Sequence, residues 1–131
     1  MVNILVVDDD ADILEIYQLY LSATYNLTTK TRPREALEFV RSGTSIDLII
    51  SDFNMPQMNG VELLQAVHQA EVQTGQSHTK KILATSHEEV HIRRELEQLR
   101  RGGTEVHYFD KGSMGKGGDK LLELIKSLTG Q

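Results

Sequence analysis

The chain predicts an α/β fold, a five-stranded parallel sheet doubly wound by helices on both faces. Three observations predict it. First, Asn3–Val7 (NILVV), 47–52 (DLIISD) and 80–85 (KKILAT) hold short continuous apolar runs, the composition of strands buried on both faces. Second, the stretches between them carry apolar residues at helical spacing. Third, strand and helix alternate five times along the 131 residues. Right-handed crossovers then place helices on both faces of a parallel sheet.

Each element has its own local reason. The first strand, 3–7, runs into Asp8, Asp9 and Asp10. Asp10 or Asp12 has the short polar side chain that caps the following helix, where Ile13, Ile16, Tyr17, Tyr20 and Leu21 share one face. A weaker strand spans 25–31. Pro33 suits the first turn of a short helix ending near Gly43. After the strand at 47–52, Asn59 and Glu62 have capping-box spacing, and Leu63, Leu64 and Val67 form the apolar side of the next helix. Ser86 and Glu89 repeat that spacing after the strand at 80–85, ahead of Ile92, Leu96 and Leu99. Gly102 and Gly103 stop this charged helix before a short strand at 105–109. KGSMGKGGDK reads as a mobile loop, and Leu121, Leu122, Ile125 and Leu128 mark the last helix.

Composition bounds the function. A length of 131 residues suits one compact domain. With Lys plus Arg at 14 against Asp plus Glu at 19, the net charge is −5, which disfavours a nucleic-acid surface. Cysteine is absent, which excludes disulfides and thiolate metal sites. The apolar runs are far too short to span a bilayer, and no basic-then-apolar leader opens the chain. A cytoplasmic protein with no membrane partner is the expectation. The five histidines have no metal-ligand spacing and read as surface residues.

In parallel sheets of this kind the functional crevice lies beyond the carboxyl ends of the strands. Asp8, Asp9, Asp52, Thr85 and Lys111 all fall at those ends. Three carboxylates in one pocket repel and raise one another's proton affinity. A hard divalent cation, Mg²⁺ by common choice, offsets that repulsion. Lys111 adds a fixed positive charge and Thr85 a hydroxyl. Such a pocket suits a phosphoryl group, with Asp52 as the nucleophile forming an acyl phosphate. This explains why an aliphatic strand ends on a carboxylate. The strand holds Asp52 with little freedom, and the turn around Pro56 and Gly60 opens room beside it.

The stretches ILVVDDD, LIISDFNMPQMNGVELL, ILATSH and VHYFDK, in this order, resemble the receiver domain of two-component response regulators, close to the stand-alone chemotaxis type. The resemblance covers nearly the whole chain. It implies a flavodoxin-like sheet and a single receiver domain over 1–131 with no output domain. By position it makes Asp52 the phosphoacceptor. Asp8, Asp9 and Asp52 hold the metal with the backbone carbonyl of Asn54, and Thr85 and Lys111 bind phosphoryl oxygens. Thr85 and Tyr108 become switch residues, and Asn54 and His87 flank the path of the hydrolytic water. The implied partners are a histidine kinase or histidine phosphotransfer protein as donor, and a protein target on the face of helix four, strand five and helix five. The implied role is a switch rather than a turnover enzyme, with at most self-catalysed phosphorylation and dephosphorylation.

Alternatives remain open from sequence. One is a phosphorelay intermediate, and another is a receiver-like scaffold that binds partners without phosphate. A third is a phosphatase of the aspartyl-phosphate class. That class carries its nucleophile after the first strand with a second Asp two positions on, whereas here Asp52 lies on the third strand and Asn54 takes the second place. Three features depart from the family. Gly112 stands where proline is usual after the lysine, the segment EVQTGQSHTKK before strand four is long, and GSMGKGGDK is rich in glycine. A non-proline cis peptide costs roughly 2.5–4 kcal/mol, so Lys111–Gly112 is expected to be trans. Gly112, Gly115, Gly117 and Gly118 would then re-aim the chain, in a loop from 112 to 118 more mobile than its neighbours, with Lys111 still reaching Asp52.

Overall fold

A computed structural model describes residues 1–76, 79–86, 90–116 and 118–131. The strands are β1 (Asn3–Val7), β2 (Asn26–Lys30), β3 (Leu48–Asp52), β4 (Lys80–Thr85) and β5 (His107–Asp110). The helices are α1 (Ala11–Leu21), α2 (Pro33–Arg41), α3 (Gly60–Thr74), α4 (Val90–Arg101) and α5 (Asp119–Thr129), with a 3-10 helix at Lys111–Lys116. All pairings are parallel, in the order β2-β1-β3-β4-β5. The expected architecture is the one found.

The two-residue repeat of a strand divides the core into two layers. Leu5, Val7, Ile49 and Leu83 face one way and pack with α2, α3 and α4 through Leu37, Val40, Leu64, Val67, Ile92 and Leu96. Ile4, Val6, Leu48, Ile50, Ile82 and Ala84 face the other way and meet α1 and α5 through Leu14, Tyr17, Leu21, Leu121 and Ile125. Leu14 and Tyr17 are fully covered on α1. Ile13, Ile16 and Tyr20, expected on the core face, lie at its half-buried margin.

The caps follow the local chemistry. Asp10 caps α1, its carboxylate accepting from the amide of Asp12. Asn59 and Glu62 form the reciprocal capping box at α3. Pro33 opens α2, which ends at Arg41 ahead of Gly43. Gly103, at φ +94°, turns the chain out of α4. Glu89, expected to complete a capping box with Ser86, lies outside the described residues.

One region holds a buried ion pair that the chain pattern does not announce, and another differs from its expected structure. Lys81, at the start of β4, is 2% exposed and forms a 2.7 Å ion pair with Glu71 near the end of α3. Glu71 also accepts from the backbone amide of Thr79, and Lys81 Nζ donates to the carbonyl of Thr79. This buried charge pair ties α3 to β4 at the sheet end opposite the three carboxylates. The second region is 111–116, expected as loop and found as a 3-10 helix. Met114 is the reason. It is 3% exposed among the residues of the α1 and α5 layer, and burying its side chain draws the backbone into a tight turn. His68 and His107, expected on the surface, are half-buried.

Candidate functional site

Parallel register brings the carboxyl ends of the strands level. Asp52 pairs with Ala84, and Thr85 with Asp110. Val7, just before Asp8, pairs with Ser51. The residues that follow these positions therefore meet at one edge of the sheet. Asp8 is 1% exposed, Asp52 8% and Thr85 2%, while Asp9 is exposed. Carboxylate oxygens of Asp8, Asp9 and Asp52 lie within 4.8 Å of one another.

Lys111 closes this cluster. Its Nζ donates to Asp52 Oδ1 at 3.0 Å and stands 2.7 Å from Asp8 Oδ2. The second approach is a short charge contact, and Asp8 Oδ2, buried, has this ammonium as its close polar neighbour among the described residues. Asp8 Oδ1 accepts the amide of Asp10. Burial raises the pKa of Asp52, and the nearby charge of Asp8 adds to the rise, against the hydrogen bond from Lys111. For Lys111, burial alone would lower the pKa. The contacts with Asp8 and Asp52 outweigh it and hold the ammonium above its usual value.

This donor set fits a hard divalent cation. Three carboxylates offer oxygens within one ion's reach against the single ammonium of Lys111, and a divalent cation would offset the remaining negative charge. Asp8, Asp9 and Asp52 are the residues that would hold it.

The β3–α3 turn clears space beside Asp52. Gly60 donates its amide to the carbonyl of Phe53. A Cβ there would stand 2.2 Å from the backbone oxygen of Asp52 and 2.6 Å from Leu83 Cδ1. Only glycine permits this close approach. Gln57 occupies the left-handed region at φ 74°, and the amide of Met58 donates across it to the carbonyl of Pro56. Asn54 is exposed at the start of this turn.

Every predicted pocket residue among those described lies at this edge. Tyr108, on β5, is half-buried against the α2–α4 layer. His87 lies outside the described residues. Tyr17, expected as simple core, also belongs to the surroundings of the site. Its hydroxyl pKa is raised by burial and then by the charges of Asp8 and Asp52. Its place in an apolar helical stripe does not announce that proximity.

The Lys111–Gly112 peptide is trans, as expected. The expected means of re-aiming the chain is only partly found. Gly112 is not at positive φ, whereas Gly118 is, at +75°. The first turn is instead made by Asp110, whose Oδ1 accepts the amide of Gly112 at 2.9 Å.

A family model described as the response regulator receiver domain matches residues 4–104. The two-component response regulator ARR10 of Arabidopsis thaliana is 42% identical over 67 residues, 50% of this chain and 12% of that protein. The response regulator SaeR of Staphylococcus aureus is 35% identical over 66 residues, 50% of this chain and 28% of that one. The matched segments are thus a minor part of these relatives. Among solved structures, the chemotaxis protein CheY4 of Vibrio cholerae is 27% identical with a TM-score of 0.78, covering 98% of both chains. The response regulator TrrA of Thermotoga maritima, solved in complex with Mg²⁺-BeF, is 29% identical with a TM-score of 0.74, covering 98% of this chain and 99% of that one.

Proposed function

The chain belongs to the response regulator receiver domain family, and from that premise we propose that it is a phosphorylatable switch with Asp52 as the phosphoacceptor. Residues 1–131 act as one receiver domain in this reading. The observation that carries it is Lys111 Nζ standing 3.0 Å from Asp52 and 2.7 Å from Asp8, at the end of a sheet that buries both carboxylates.

A phosphohistidine of a kinase or phosphotransfer protein is the donor that fits this chemistry. An Asp52 carboxylate oxygen forms the new O–P bond as the N–P bond to the donor imidazole breaks, and the imidazole leaves with the electron pair. Lys111 turns from its carboxylate partners toward the oxygens of the arriving group, and the Thr85 hydroxyl meets another. Both act where charge spreads over the equatorial oxygens. Mg²⁺ bound by Asp8, Asp9, Asp52 and the Asn54 carbonyl would supply electrostatic stabilisation of the same oxygens. Exclusion of water by the buried floor strengthens these interactions. Asn54 and His87 then tune hydrolysis of the acyl phosphate.

The readout follows from one added dianion. Thr85 moves toward the phosphoryl group, Tyr108 turns inward from β5, and the α4–β5–α5 face changes its protein partner, a population shift of a two-state element. Small-molecule phosphodonors with Mg²⁺ should add one phosphoryl group by mass spectrometry, and Asp52→Asn should abolish it. Label persisting in the Asn variant overturns the assignment.

A further inference from the structure

We propose that Asp110 is a positioning residue for Lys111, and that its side-chain turn onto Gly112 holds the ammonium at the carboxylate pocket. The inference rests on the phosphoacceptor reading above.

Lys111 is the last link in a chain of contacts that begins at β5. Thr85↔Asp110 is the final register pair of the β4–β5 ladder. Beyond Asp110 the sheet ends, and the backbone of Lys111 has no strand to hold it. Asp110 Oδ1 accepts the amide of Gly112 at 2.9 Å, which spans Lys111 and fixes its backbone from both sides. The approach is close. A Cβ at position 112 would lie 3.2 Å from that same oxygen, so glycine leaves the carboxylate room to settle over the amide.

The far end of the segment is anchored independently. Met114 is 3% exposed in the α1 and α5 layer. Gly118, at φ +75°, lies so near α1 that a Cβ there would come within 2.8 Å of Tyr20 Cγ. Lys111 therefore sits between a sheet end and a buried plug. Lys111 opens the 3-10 helix, and the Asp110 turn is the restraint on its backbone from the sheet side. Four methylenes still separate that backbone from Nζ, so a rotation at Cα is amplified at the ammonium and lengthens the 3.0 Å contact it makes.

Asp110 is exposed and makes no described contact with the carboxylate cluster. Its effect on phosphorylation must then pass through Lys111. The proposal separates acceptor geometry from charge. Asp110→Asn keeps an oxygen over the Gly112 amide, and Asp110→Ala removes it.

The test uses the full chain with acetyl phosphate and Mg²⁺, together with NMR of the Lys111 ammonium. Asp110→Ala should slow phosphorylation by up to about a hundredfold, the scale of a catalytic group misplaced by an ångström, while Asp110→Asn, which keeps the acceptor oxygen, stays near the wild-type rate. On a Lys111→Met background Asp110→Ala should cause no further slowing, since the effect acts through the missing ammonium. The hydrogen-bonded ammonium resonance should be seen in wild type and Asp110→Asn and lost in Asp110→Ala. Equal slowing by Asn and Ala, or full slowing by Ala on the Lys111→Met background, overturns the proposal. Wild-type chain that takes no phosphoryl group overturns the phosphoacceptor reading instead. The ammonium resonance then decides the positioning alone, and its persistence in Asp110→Ala overturns that.

Discussion

Asp52 is held in a state that costs stability. Its carboxyl sits 8% exposed beside Asp8, and its pKa is above the usual value because burial and that neighbouring charge disfavour the anion. The folded chain therefore binds the Asp52 proton more tightly than the unfolded chain. The stability this contributes is present on the acid side and is lost as pH rises from the ordinary aspartate range through the raised folded value. Asn at this position removes the dependence. In chelator, Asp52→Asn should match wild type in acid and exceed it by about 1 kcal/mol at neutral pH, read by urea unfolding across pH. A difference between the two proteins that does not grow with pH would show that the pocket is not crowded. Asp52 itself was legible in sequence, because a carboxylate at the end of LIISD has few structural uses. Asp110 was not, because nothing in VHYFDKG shows that its side chain folds onto the amide two residues on.

At the scale of elements, the buried pair of Glu71 and Lys81 fixes α3 against β4. With side chains 1% and 2% exposed, neither charge has water to fall back on. Removing one partner strands the other, whereas replacing both with apolar groups removes two desolvation costs together. Lys81→Met should destabilise by about 3–5 kcal/mol. Glu71→Leu combined with Lys81→Met should recover most of that loss. Thermal unfolding of the three proteins checks this, and a double variant no better than the single would mean that the Thr79 contacts dominate. KKILAT has the pattern of an ordinary strand. Adjacent lysines look solvated until a helix end supplies the partner, and that partner lies 10 residues away on another element. The elements themselves were legible, with boundaries shifted by a residue or two. The exception was 111–116, where glycine content suggested a loop and one buried methionine made a helix.

For the whole molecule, a cation at the carboxylate edge should be linked to global stability. Asp8 follows β1, Asp52 ends β3 and Lys111 follows β5, so an ion gathered there binds only the folded chain. At one hundred times its dissociation constant, Mg²⁺ should stabilise by about 2.7 kcal/mol, seen as a rise in Tm. Asp9→Ala should remove most of that rise while leaving the metal-free Tm nearly unchanged, because Asp9 is exposed. An unchanged Mg²⁺ response in that variant would place the ion elsewhere.

The order of apolar runs and helical stripes, the cap at Asn59, a first-helix cap at Asp10 or Asp12, and the acidic residues at strand ends were all determined by the sequence alone. They depend on periodicity and on neighbours a few residues away. The tertiary structure decided what depends on distance between remote residues. Lys111 and Asp52 are 59 residues apart and meet at 3.0 Å because parallel register levels the strand ends. Met114 becomes core because α1 and α5 leave a space for it. Gly60 becomes indispensable because the backbone of Asp52 passes where its Cβ would be. Chain pattern specifies which face of an element is apolar. Only the packed fold sets which polar groups that packing forces together and leaves to satisfy one another.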